Sequence, residues 1–150
     1  MTQLSAKLGI MSLVLALTII PLGDLYGGAD WKLLSESKRG LFYYDLDSFT
    51  RPANDIVRVW VAVYPSENSI ILIEELFGEK FEALSYWLGL TEIHCRKKSI
   101  RLKSQECYSS DGAYIGSFFS RFPTPWQEIE AASMQWNVLG AQLLLEGLCK

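Results

Sequence analysis

The chain has 150 residues, 14 of them basic and 17 acidic, for a net charge of -3. No global positive field therefore advertises nucleic acid or an anionic membrane as a partner. Aromatic residues make up 13% of the chain, which predicts a packed domain and excludes a disordered one.

Lys7 is the only charged residue before an apolar run from Leu8 to Ile20. As a helix this run would reach only ~20 Å, against a hydrocarbon core of ~30 Å. That is the length of a signal-peptide core. Pro21 breaks the run, and Gly27, Gly28 and Ala29 offer a cleavage site between Ala29 and Asp30. The expected organisation is a signal peptide over 1–29 and one domain over 30–150, with no transmembrane span after processing. About 120 residues can bury roughly two-thirds of their unfolded surface in a single core and leave no room for a second.

Asp30 to Ser35 and Leu41 to Asp45 read as short strands, joined by a loop that closes on Gly40. Asp45 and Asp47 then leave the strand as turn-capping carboxylates. Their spacing could direct two oxygens at a cation, but no further acidic cluster follows, so no metal is expected. Ile56 to Tyr64 is the best central strand. Val57, Val59, Val61 and Val63 alternate onto one face, while Arg58, Trp60 and Tyr64 share the other with Ile56 and Ala62. So aromatic a second face needs cover from a helix, a loop or a partner subunit.

After Pro65 the period changes. Ile70, Ile73, Phe77, Phe81, Leu84 and Leu88 recur at intervals of three and four, which predicts an amphipathic helix weakened at Gly78. Ser69 to Ile73 reads alternatively as a strand. From Thr91 to Phe119 two β-rich halves meet at Asp111-Gly112, a turn signal. Thr124-Pro125-Trp126-Gln127 then matches a helix start, with Ser133 as the other candidate. Trp136, Leu139, Leu143 and Leu144 supply the apolar face of this last helix.

Three cysteines give one bridge and one odd thiol, with three possible pairings. Cys95 with Cys149 would close a loop of about 54 residues and contribute roughly 4 kcal/mol on the chain-entropy model. Cys95 with Cys107 would close a short loop and leave the C-terminus to packing alone. Ile93 and Cys95 share one strand parity, and Ile100, Leu102 and Tyr108 the other. The phase therefore slips near Lys97-Lys98-Ser99, as a bulge or a tight turn. With the later parity facing the core, Cys107 points away from it, which favours Cys107 as the odd thiol.

Little in the chain suggests catalysis. His94 is the only histidine, and no acid is positioned by sequence to orient it against a cysteine nucleophile. No nucleophile elbow, phosphate loop or dinucleotide fingerprint occurs, and zinc would consume the cysteines of the bridge. No cofactor is expected. Arg96, Lys97, Lys98, Arg101 and Lys103 place five positive charges in eight residues, a candidate strip for an anionic partner. The competing reading is a solvated strand whose charges discourage edge pairing. Trp60 with Tyr64, and Trp87 with Tyr86, are candidate aromatic anchors of an interface, core packing being the competing fate of each.

Taken together, several short motifs resemble the bacterial surface-adhesin protein E family. They are Asp30-Trp31, Tyr43-Tyr44-Asp45 followed by Ser48, Val57-Arg58-Val59-Trp60-Val61, Glu92-Ile93-His94-Cys95, Ile100-Arg101-Leu102, Tyr108, Asp111-Gly112, Trp126 with Ile129, and the penultimate cysteine. The resemblance covers nearly all of the chain after the leader, and it lies in the order and spacing of these motifs. It implies an α+β fold, an antiparallel sheet of about six strands crossed by a C-terminal helix, with Cys95 and Cys149 as the cross-link. It also implies a periplasmic or surface protein that binds macromolecules, host-matrix proteins and haem being ligands of the family's namesake. The chain departs from the pattern in the long segment from Ser69 to Gly89, in Ala131-Ala132-Ser133 before the last helix, and in the extra Cys107. The expected function is an exported, non-catalytic, adhesin-like binding protein of the bacterial envelope, engaging a protein or polysaccharide. An envelope structural protein acting as a homodimer is the first alternative and a small secreted hydrolase the second.

Overall fold

A computed structural model describes residues 29–129 and 139–150. The alternating valines place β4 (Ile56–Pro65) in the middle of an antiparallel sheet of eight strands. The others are β1 (Trp31–Ser37), β2 (Gly40–Asp45), β3 (Thr50–Ala53), β5 (Leu84–His94), β6 (Ser99–Ser109), β7 (Tyr114–Gly116) and β8 (Gln127–Glu128). The main path across the sheet runs β1-β2-β4-β5-β6-β7; β3 adds to the end of β4, and β8 to the start of β6. Among the described residues two α-helices, α1 (Glu67–Phe77) and α2 (Leu139–Leu148), complete the α+β fold.

Both helices lie on the valine face. Val57, Val59, Val61 and Val63 join Phe42, Ile93 and Ile100 from neighbouring strands, Ile73 from α1, and Ala141 and Leu144 from α2 in one buried cluster. The α2 face differs from expectation, because Leu143 is exposed while Leu145 and Leu148 pack beside Leu144. Trp136 and Ser133 lie outside the described residues, as does the leader through residue 28. Cys95, just past β5, is bonded to Cys149, just past α2, so the terminal helix is stapled to the sheet.

Three local expectations are corrected and one open choice is decided. The helix does not continue to Leu88: it ends at Phe77, and Gly78 adopts φ +107°, where the chain leaves the helical path. A short 3-10 turn buries Phe81, and Leu84 to His94 then forms an 11-residue strand, so Leu84 and Leu88 are strand residues. Ser69 to Ile73 lies within α1, against the strand alternative. Thr124 starts no helix, because its hydroxyl accepts from Leu102 N–H and its own N–H donates to the Leu102 carbonyl, each near 3 Å, sealing the edge of β6. Cys107 is free as expected, yet it is fully buried on the helix-covered face. Leu90 pairs with Ser104 and Thr91 with Leu102, so Lys103 is an extra residue that reverses the parity of everything after it.

Tight turns fix the rest. Gly40 takes φ +140°, and a Cβ there would lie 2.1 Å from the Tyr64 carbonyl oxygen, so only glycine closes the β1–β2 hairpin. The β5–β6 reversal falls at the expected Lys97-Lys98, with Lys98 at φ 48°. At the β6–β7 turn Gly112 has φ 81° and the Ser109 N–H donates to the Ala113 carbonyl.

Candidate binding face

On the face away from the helices the same strands carry a different chemistry. Strand pairing puts Tyr86 opposite Tyr108, and the register carried on from Val63 and Trp87 puts Tyr64 beside Tyr86. Tyr43 of β2 and Tyr114 of β7 extend the row, so five tyrosines from five strands are in contact. Successive ring centroids lie 6.0, 5.4, 5.1 and 6.0 Å apart, the two central pairs stacked and the two outer ones edge to face. This spacing matches the ~4.8 Å between strands, so each ring is braced by the next. Burial, reinforced by Tyr86 and Tyr43, pushes the Tyr64 phenol up to about 12, and its hydroxyl remains a proton donor at physiological pH. Tyr114, at the end of the row, is 62% exposed.

Toward the opposite end of the strands an ionic row replaces the aromatic one. Arg58, Glu92 and Arg101 are cross-strand neighbours on β4, β5 and β6. Glu92 is only 2% exposed. Arg58 donates to its Oε1 through Nε and Nη2 at 2.9 and 2.6 Å, and Arg101 approaches Oε2 with the same two nitrogens at 2.7 Å. Burial pushes the carboxyl up, but the hydrogen bonds and charges of the two arginines outweigh that and hold it below its ordinary value. Arg101 also lies 4.4 Å from the Trp126 ring, which in turn meets His94 edge to face. Each arginine is thereby fixed as a flat, oriented cation.

Between the two rows lie Trp60, Leu88 and Ala62, and at the β1 end Trp31. Trp31, Asp45, Trp60 and Leu88 line a pocket of about 110 Å³. The cavity on the helix-covered side, by contrast, has about 30 Å³ of room, the share of a single water.

Of the residues singled out in the sequence, Trp60 and Tyr64 both lie on this face, and Arg101 joins them. The other basic residues do not form one strip. Arg96 pairs with Asp55 at 3.2 Å, Lys97 and Lys98 occupy the exposed β5–β6 turn, and Lys103 sits in the bulge. Tyr86, singled out with Trp87, lies in the tyrosine row, whereas Trp87 is buried in the helix-covered core; Tyr43, Tyr108, Tyr114, Arg58 and Glu92 were missed as site residues. Strand alternation already puts Arg58 on the face of Trp60 and Tyr64, though not as a site residue; the tyrosine row becomes visible only with the strand register. Comparison with protein-family models, curated proteins and solved structures yields no match to this chain.

Proposed function

We propose that this chain is an exported, non-catalytic binding protein of the bacterial envelope, adhesin-like, that engages a macromolecular partner through the open face of its sheet. The observation that carries the reading is the gathering of tryptophan, tyrosine and arginine on a face to which neither helix contributes. These three side chains dominate the binding energy of protein interfaces. Here they are held by stacking and bidentate ion pairing, so little side-chain entropy remains to be lost on contact. The Cys95–Cys149 bond is compatible with an oxidising destination, and no helix among the described residues is long and apolar enough to cross a membrane.

The test is cross-linking of the protein in its own envelope fraction, followed by affinity measurement with the captured partner. Tyr114→Ala combined with Trp60→Ala should weaken binding at least about tenfold, whereas Lys97→Ala with Lys98→Ala should change it less than about twofold. Unchanged affinity in the aromatic variant sinks the assignment of this face. A concentration-dependent dimer in sedimentation, lost in that same variant, would instead make a second copy the partner.

A further inference from the structure

Asp45 ends β2 on the open face, 8% exposed. Its Oδ1 accepts from two backbone N–H groups, Asp47 at 3.1 Å and Asp30 at 3.0 Å. None of the ion pairs among the described residues reaches it. A carboxylate withdrawn beside two indoles and a leucine has lost hydration, and amide hydrogens replace only part of it.

The nearer of these partners is the nitrogen at the expected cleavage point. We infer that Asp45 is the receptor for the α-ammonium created when the peptide bond between Ala29 and Asp30 is hydrolysed. The inference rests on the export reading above. In that hydrolysis water adds across the bond: Ala29 departs with the carboxylate, and the Asp30 nitrogen takes up protons to become an ammonium. Nothing has to move, because the nitrogen already lies within ion-pair distance. The rest of Asp30 is set for this role: its carbonyl accepts from Leu46 N–H at 3.1 Å, and its own carboxylate is engaged by Lys32 Nζ at 2.8 Å, which offsets the like charge beside Asp45.

The consequence falls on β1, the strand that ends the main path of the sheet. An edge strand is the first to detach from a sheet, and a charge-assisted bond at its first residue holds it more tightly than an amide does. The uncut chain lacks this lock, as it lacks the disulfide until it reaches an oxidant. Both fastenings therefore complete the fold on the far side of the membrane, one at each end of the domain.

The experiment uses the full chain expressed in a secreting cell. Mass spectrometry of the purified product should give a first residue of Asp30. Acetylation at pH 6.5 blocks the α-amine selectively, because lysines stay protonated there. It should lower the melting temperature by about 4 °C. In Asp45→Asn, which keeps the oxygen acceptor, the same treatment should shift it by less than about 1 °C. A start at Asp30 with no drop on acetylation, or an equal drop in both proteins, overturns the lock alone. A different first residue overturns the processing reading and the lock with it. Should Asp45→Asn fail to fold, the wild-type comparison before and after acetylation decides.

Discussion

The two faces of this sheet are built from alternate residues of the same strands, yet they hold together in different ways. The helix-covered face is apolar, closed and fastened at its end by a covalent bond, so its stability follows from area removed from water and from a restricted unfolded state. The open face is phenolic and ionic, and its side chains are ordered by stacking and ion pairing with one another and, at Arg101, by the Trp126 ring. Side chains that must order themselves remain available to a partner. The first face thus supplies a platform, and the second uses its rigidity.

The sharpest way to break this comparison is to release the platform. Cys149→Ser removes a bridge of sequence separation 54 and should cost roughly 4 kcal/mol in urea unfolding. Amide exchange should accelerate most in α2, while the tyrosine row stays protected up to global unfolding. If both regions lose protection equally in the native state, the faces are not separate devices.

Next in size is Glu92→Gln, which leaves Arg58 and Arg101 facing each other across a neutral amide. Breaking a fully buried pair costs 3–5 kcal/mol; with the arginine side chains 33% and 24% exposed, about 2–3 kcal/mol is expected here. Acid gives an independent reading. The folded-state carboxyl lies below its ordinary value of 4.5, so the triad's contribution is fully present above that pH and is lost as pH falls through the depressed native value. Glu92→Gln should flatten that part of the stability profile, and an unaltered acid limb would show the triad to be energetically silent.

Cys107 sharpens the comparison from the covered side. Burial pushes its thiol up to about 12, so it should resist alkylation in the native protein and react on unfolding. Cys107→Ser places a hydroxyl opposite Trp87 among the core side chains and should cost about 1–3 kcal/mol. A solvent-facing thiol, as plain alternation implies, would give nearly no loss.

That difference marks where the sequence was legible. Unbroken alternation from Val57 to Val63 identified the central strand and both its faces, and the turn residues around Lys98 and Gly112 located two reversals. Alternation fails at bulges, which add a residue without changing composition. The extra Lys103 turned Cys107 inward, and the irregularity between Leu84 and Tyr86 puts Leu84 in the helix-covered core and Leu88 on the other face, although their interval of four suits one helical stripe. The tyrosine row depends on register between strands up to 71 positions apart, from Tyr43 to Tyr114, and no local window contains that information. Trp60 and Tyr64 were legible as neighbours on one strand face; that Arg101 shares this surface was not.

The smallest effect is expected at the residues that looked most conspicuous. Lys97 and Lys98 are exposed in the β5–β6 turn, and neither side chain forms an ion pair among the described residues. Surface substitutions away from caps and cores stay within about 0.5 kcal/mol, so Lys97→Ala should be nearly silent in stability. Lys98→Ala keeps a Cβ at φ 48° and so leaves the backbone cost unchanged, whereas Lys98→Gly relieves it. Comparing the two at Lys98 separates backbone from charge: both remove the same ammonium, so a difference in stability between them belongs to the turn, while a change in partner affinity shared by both belongs to the charge.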